Sequence, residues 1–246
     1  MRCKIWCVIL FVMFLFHSCK KESMCDCVKS TGPTNVIYHA KENFNCIFIR
    51  DKMDLYLTQG PQFEIKVEAG ENLQRLIKTE LDGETLKVFN NNRCNWVRGY
   101  DRKIRIYITA PYFKYIQNAG LGTIETTNTI IQDEIKLRTE NSGDLRLYMD
   151  VHKIVASAHG NGDMYLAGTT DIFEHDYTGT NYLYATALSI SSYAYLHSVS
   201  IGHAYINAPE NGLMDVVIDR SGDVHYKGNP ATIRLTKNGK GNLIKN

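Results

Sequence analysis

Three glycine–aspartate pairs recur along the chain: Gly143-Asp144, Gly162-Asp163 and Gly222-Asp223. Carboxylates repeated at fixed spacing suit two chemistries. They hold calcium, or they work with a metal or base on a polysaccharide. Calcium takes about six to eight oxygens, and the tight nonapeptide pattern of calcium β-rolls is absent. His159, His197 and His203 are scattered without a ligand-like pair. "CDC" at 25–27 offers two thiols, but no second Cys-x-Cys or His pair accompanies it. No Ser-His-Asp set, P-loop or dinucleotide fingerprint has a supporting context. The aspartates are therefore read as turn formers, and no metal, cofactor or catalytic residue is expected.

The elements that carry these residues repeat. Seven segments align on one anchor: "AGLGTIETT", "ENSGDLRLY", "HGNGDMYLAG", "YTGTNYLYA", "VSIGHAYIN", "DRSGDVHYKG" and "NGKGNLIKN". The anchors are Gly122, Gly143, Gly162, Thr180, Gly202, Gly222 and Gly241. A period of about twenty residues without helical patterning predicts an all-β, right-handed parallel β-helix or β-solenoid. Two and four residues past each anchor the side chains are mainly apolar, as in Leu145/Leu147, Met164/Leu166, Tyr182/Tyr184 and Val224/Tyr226. Eight and six residues before it a second apolar pair recurs, as in Ile135/Leu137, Ala194/Leu196 and Ile233/Leu235. Each rung is thus strand, corner, strand and return turn. Glu174 interrupts the pattern unless a bulge turns Phe173 inward. Glycine at the corners supplies an unusual φ.

Three residues past the anchors, the outward row reads Glu125, Arg146, Tyr165, Leu183, Tyr205, His225 and Ile244. Its one carboxylate, Glu125, stacks beside Arg146 and is read as an ion pair, which argues against a glycan-cleaving centre there. Tyr165, Leu183, Tyr205 and His225 form a candidate contact strip about 14 Å long. Such a strip suits a glycan, a protein ligand or a second copy of the chain. The alternative is that other chain segments cover it as core.

Residues 1–18 read as a signal peptide: Arg2 and Lys4, then the apolar run Ile5–Phe16. "LFHSC" resembles a loose lipobox, making Cys19 the expected lipidation site and membrane anchor; an ordinary signal peptide is the alternative. Residues 19–35 are a polar linker, and 36–246 form one β domain. Less Arg2 and Lys4, the 28 Lys+Arg balance the 26 Asp+Glu, so no nucleic-acid partner is expected. Pairing among Cys25, Cys27, Cys46 and Cys94 is open. Within residues 36–111, alternation in "CIFIRDKMDLYLTQG", "FEIKVEAG" and "KIRIYITAP" predicts strands, with a helical turn or two in "GENLQRLIKTELDG".

"MDLYLTQGPQFEIKVEAGENLQRLIKTELDGETLKV", then "KIRIYITAPYFKYIQNAGLGTIE" and the recurring Gly-Asp turns, resembles the putative auto-transporter adhesin head GIN domain family over about residues 44–245. The degraded turns "TGTNYLY" and "SIGHAY" depart from the pattern. The resemblance implies an exported or lipid-anchored β-solenoid and brings no catalytic residues. The expected function is adhesion or surface recognition by an envelope lipoprotein, on the surface or periplasmic side of the outer membrane. The alternatives are a periplasmic structural or envelope-stress accessory protein and a glycan-active enzyme.

Overall fold

The computed structural model describes residues 30–39, 43–92 and 103–246. Within them the chain is a β-solenoid of about seven turns. The strands in chain order are β1 (Thr34–Tyr38), β2 (Cys46–Ile49), β3 (Asp54–Gln59), β4 (Glu64–Gly70), β5 (Ile77–Asp82), β6 (Thr85–Asn90), β7 (Arg105–Ala110), β8 (Tyr115–Asn118) and β9 (Ile124–Thr126). They continue as β10 (Ile130–Thr139), β11 (Leu145–Gly160), β12 (Met164–Gly179), β13 (Leu183–Ser200), β14 (Ala204–Asn207), β15 (Leu213–Ile218), β16 (Val224–Lys227), β17 (Thr232–Lys237) and β18 (Leu243–Lys245). One short helix, α1, covers Glu71–Gln74.

Two parallel stacks organise the turns. One runs β6, β2, β8, β10, β11, β12, β13, β15, β17. The other runs β7, β3, β9, β11, β12, β13, then β14, β16, β18. β11, β12 and β13 serve both stacks because each bends through the return segment without breaking. The return expected as a turn is therefore a third, narrow parallel face, where Met149 pairs with Gly168 and Gly168 with Leu188. Gly168 turns there with φ +110°.

The early strands depart from chain order. β2 and β3 are inserted between the turn made by β6 and β7 and the turn made by β8 and β9. Antiparallel strands close this end: β4 pairs with β7, β1 with β4 and β5 with β6. They fill an edge that would otherwise expose unpaired backbone groups. The ordered fold thus reaches back before residue 36. Thr34 and Asn35, expected in the linker, pair with Gly70 and Ala69. Cys19, Cys25, Cys27 and Cys94 lie outside the described residues, and Cys46 is a free thiol. No helix among the described residues is long and apolar enough to cross a membrane.

The interior confirms the paired apolar positions in most rungs. Ile124, Leu145, Met164, Ala204 and Val224 are fully buried, as are Ile116, Ile135, Ile154, Ala194 and Met214. One rung corrects the sequence reading. Met164 pairs with Leu183, which pairs with Ala204, so the equivalent of Gly162 is Asn181 and not Thr180. A one-residue slip exchanges the two faces of a strand. Leu183 is core, Tyr182 and Tyr184 point outward, and Phe173 and His175 replace Ile172 and Glu174 inside. At the last rung Ile233 and Leu235, expected inside, are 39% and 46% exposed.

The anchor glycines have a different reason from the one expected. Gly122, Gly143, Gly162, Gly202, Gly222 and Gly241 do not have positive φ. Each lies against the backbone of a neighbouring turn. A Cβ on Gly162 would fall 2.2 Å from the Gly143 carbonyl oxygen, and one on Gly222 2.1 Å from that of Gly202. Asn181 occupies this column by a separate device, its Nδ2 donating to the Gly160 and Thr178 carbonyls.

His175 is the unexpected core residue. Its ring lies between Phe173 and Tyr177, at centroid distances of 5.9 and 4.9 Å. Complete burial lowers its pKa to about 3, since the charged ring finds little solvation there.

Two outcomes follow from this packing. Gly162→Ala and Gly222→Ala each lose about 3 kcal/mol or more in denaturant melts, because the obstacle is backbone and has no rotamer to relax into. Gly83→Asn, at φ +60° with nothing within 4 Å, changes stability by less than about 1 kcal/mol. For His175 the folded pKa lies below the unfolded value. Its penalty is absent above about pH 6.5 and grows as pH falls toward 3. Between pH 7 and 5 it removes about 2 kcal/mol. Unfolding free energies measured at both pH values for wild type and His175→Leu show the variant relieved of that loss.

Candidate functional site

The outer face of the second stack carries a continuous column of ring contacts. Register places Arg146 beside Tyr165, Tyr165 beside Tyr184, Tyr184 beside Tyr205 and Tyr205 beside His225. The side chains form one continuous ladder. The Arg146 guanidinium lies 4.0 Å above the Tyr165 ring. Successive centroid distances are 4.7, 5.6 and 4.8 Å, with interplanar angles of 12°, 7° and 18°. Tyr165, Tyr205 and His225 of the expected strip are brought together. Leu183 is not among them, and Tyr184 takes its place.

This geometry limits what the ladder can bind. Ring faces point along the solenoid axis and are covered by the next ring. Tyr165 and Tyr205 are partly and Tyr184 more exposed, and the Tyr165 hydroxyl lies 3.5 Å from Asp163 Oδ2. A sugar that docks by stacking needs a free face, and the interior rungs of this ladder offer none. A partner that accepts or donates hydrogen bonds to phenol groups is suited to it. Burial keeps the hydroxyls of Tyr165 and Tyr184 protonated above the ordinary tyrosine range, reinforced by the nearby Asp163 carboxylate.

The glycine-following column beside the ladder holds the turns together. The Asp144 carboxylate accepts the Asp163 N–H at 3.0 Å, and Asp163 accepts the Tyr182 N–H at 2.8 Å. Asp223 accepts the Asn242 N–H at 2.7 Å. These aspartates therefore bond the following rung, not their own turn. Burial raises the Asp163 pKa, opposed by the Tyr182 hydrogen bond. Arg146 stands opposite Glu125 in register, but its guanidinium pairs with Asp144 at 3.2 Å. The shorter reach within its own strand wins over the expected cross-strand pair.

Histidines hidden by sequence distance meet across rungs. His203, Asp223 and His225 offer ligand atoms all within 4.8 Å of one another. His203 and Asp223 are in the column next to the glycines and His225 is on the ladder, so only reading the two columns together brings them into view. His197 bridges Asp176 and Asp219, at 2.9 Å from each. The Asp219 hydrogen bond leads in raising its pKa.

A shallow groove of about 390 Å³ lies over the narrow third face. There Asp171 accepts from Ser191 and faces His152 Nδ1 at 2.8 Å. The carboxylate sits between hydroxyl and imidazole. A nucleophilic triad needs the imidazole between them, so the groove has the residue types of that chemistry in the wrong order.

No curated protein is similar to the chain in sequence. The fold is shared with solved structures. A putative adhesin from Bacteroides fragilis is 23% identical with a TM-score of 0.78, over 87% of this chain and 97% of that one. A putative lipid binding protein from Parabacteroides distasonis is 16% identical with a TM-score of 0.65, over 87% and 98%. A putative adhesin from Parabacteroides merdae is 17% identical with a TM-score of 0.63, over 89% and 98%. With the solenoid, its rung order and the family model that matches residues 43–230, the chain belongs to the family described as the putative auto-transporter adhesin, head GIN domain.

Proposed function

We propose that the protein is a non-enzymatic recognition module of the bacterial cell envelope, anchored by a lipid on Cys19, that binds a protein partner through the tyrosine ladder. The ladder carries this reading. Stacking already fixes the rings, so binding loses little side-chain entropy. Tyrosine offers rigid amphipathic contact area. Membership of an adhesin-named family supports a surface or envelope role. The misordered groove and the single carboxylate, Glu125, in the outward row support binding over catalysis.

The test separates hydroxyls from rings. Tyr165→Phe/Tyr184→Phe/Tyr205→Phe keeps every stack and melts like wild type. In a screen of host-matrix proteins and glycans with residues 28–246, it loses about tenfold or more of the affinity for a protein ligand. Unchanged affinity moves recognition away from the ladder, and exclusive glycan binding overturns the choice of partner. Tyr184→Ser, by contrast, loses the ring contacts with Tyr165, Tyr182 and Tyr205 and about 1–3 kcal/mol of stability.

The anchor is tested in cells. Cys19→Ala abolishes metabolic fatty-acid labelling and releases the protein from the membrane fraction. Retained labelling removes Cys19 as the site. Protease treatment of intact cells degrades a surface-exposed domain and spares a periplasmic one.

A further inference from the structure

We propose that His203, Asp223 and His225 form a binding site for a divalent transition-metal ion of the zinc class, with an open coordination position toward solvent. Two imidazoles and one carboxylate are borderline donors that suit zinc, and copper(II) more tightly still. Calcium and magnesium are disfavoured because they need more oxygen ligands than one carboxylate supplies.

The spacing supports the assignment. All three ligand atoms lie within 4.8 Å of one another. His203 Nδ1 and Asp223 Oδ2 are 3.5 Å apart. Tetrahedral zinc with bonds of about 2.0–2.2 Å places neighbouring ligands roughly 3.3–3.6 Å apart, so this pair already has the right separation. A modest swing of the half-exposed His225 ring brings in the third ligand.

The surroundings orient each ligand. Asp223 Oδ1 accepts the Asn242 N–H at 2.7 Å and faces its Nδ2 at 3.4 Å. That anchors the carboxylate and leaves Oδ2 toward His203. His225 Nδ1 lies 3.4 Å from Asn246 Oδ1. An N–H donated there leaves Nε2 with its lone pair, the arrangement that metal-binding histidines use. The ring is held by stacking on Tyr205 at 4.8 Å. His203 Nδ1 accepts the Asp223 N–H at 3.0 Å, so Nδ1 is its unprotonated nitrogen. Metal binding exchanges that neutral hydrogen bond for a coordinate bond. Tyr182, His225 and Tyr205 flank His203, with centroids 5.6, 5.8 and 6.4 Å away, and its side chain keeps 31% exposure. Three protein ligands with one position open resemble a reactive or bridging site more than a closed structural one.

The experiment is a titration of the full chain in mild detergent with zinc chloride, followed by calorimetry, in a Cys25→Ser/Cys27→Ser/Cys46→Ser/Cys94→Ser background that removes the cysteines after Cys19 as competing ligands. Cobalt(II) is then substituted to read coordination from its visible absorption. One saturable equivalent of zinc and a tetrahedral cobalt spectrum are expected, with no uptake of magnesium. Asp223 also holds the next rung, so His225→Gln is the decisive variant. It weakens zinc binding at least about tenfold while the chain stays folded, its melting point lowered only by the lost stack on Tyr205. His152→Gln, beside the unrelated Asp171, leaves binding unchanged. Absence of zinc uptake overturns the proposal. So does uptake that His225→Gln leaves intact.

Discussion

The contact on which the structure depends is the approach of each corner to the backbone of the turn before it. At Gly122, Gly162, Gly202, Gly222 and Gly241 an added Cβ would lie between 1.8 and 2.2 Å from a carbonyl oxygen. No side chain fits. From Gly122 onward this column is held close by glycine, with Asn181 kept there by its own hydrogen bonds, whereas register puts Met53 and Ile104 at the same place in the two turns before it. Once that distance is set, the register of both stacks is set. Equivalent residues then lie directly over one another for the length of the solenoid.

Register turns residue type into columns, and each column has a physical rule. Apolar columns need only shape, so Ile, Leu, Met, Val and Ala interchange inside. Aromatic columns gain by repetition, because an offset ring is a good neighbour for a ring. Charged columns lose by repetition, because like charges directly opposite destabilise a sheet. The chain handles this in two ways. Asp144 and Asp163 turn an oxygen onto the next N–H. Asp176 and Asp219 are separated by His197, which bonds to both. A protonated His197 adds stability at acid pH, while the buried His175 removes it. Two histidines of one chain thus titrate in opposite senses because one faces carboxylates and the other faces hydrocarbon.

The glycine column and the inward pairs were legible in the sequence because a repeat announces itself. The rung at 177–185 was misread by one residue because "TGTN" offers two plausible corners, and the conspicuous glycine nearby, Gly179, packs in another column, over Gly160. That single residue exchanged Leu183 for Tyr184 and hid His175. The cap of β1, β4 and β5 was not legible as a cap. It contains no repeat, and alternation alone does not distinguish parallel from antiparallel pairing. The metal-ligand cluster was not legible from spacing within a segment. His203 and His225 lie in different rungs and columns, and only three-dimensional stacking brings them to one point.

The two ends of the solenoid differ, and the difference bears on where recognition sits. One end is closed by antiparallel strands and by α1, whose own Leu73 is buried. At the other, every residue of β17 is exposed and β18 is only partly covered. In a stack, each turn is stabilised mainly by its neighbours, so within the described residues protection falls from the centre of β11–β13 toward β17 and β18. β14 and β16 lie next to that edge and carry Tyr205 and His225, with His203 and Asp223 immediately before them. The ladder therefore runs from a rigid middle to a looser end. Binding elements that adjust to a ligand come from the less stable parts of a fold. The His225 end can move to complete a coordination shell, while the Tyr165 end, clamped under Arg146, holds its shape.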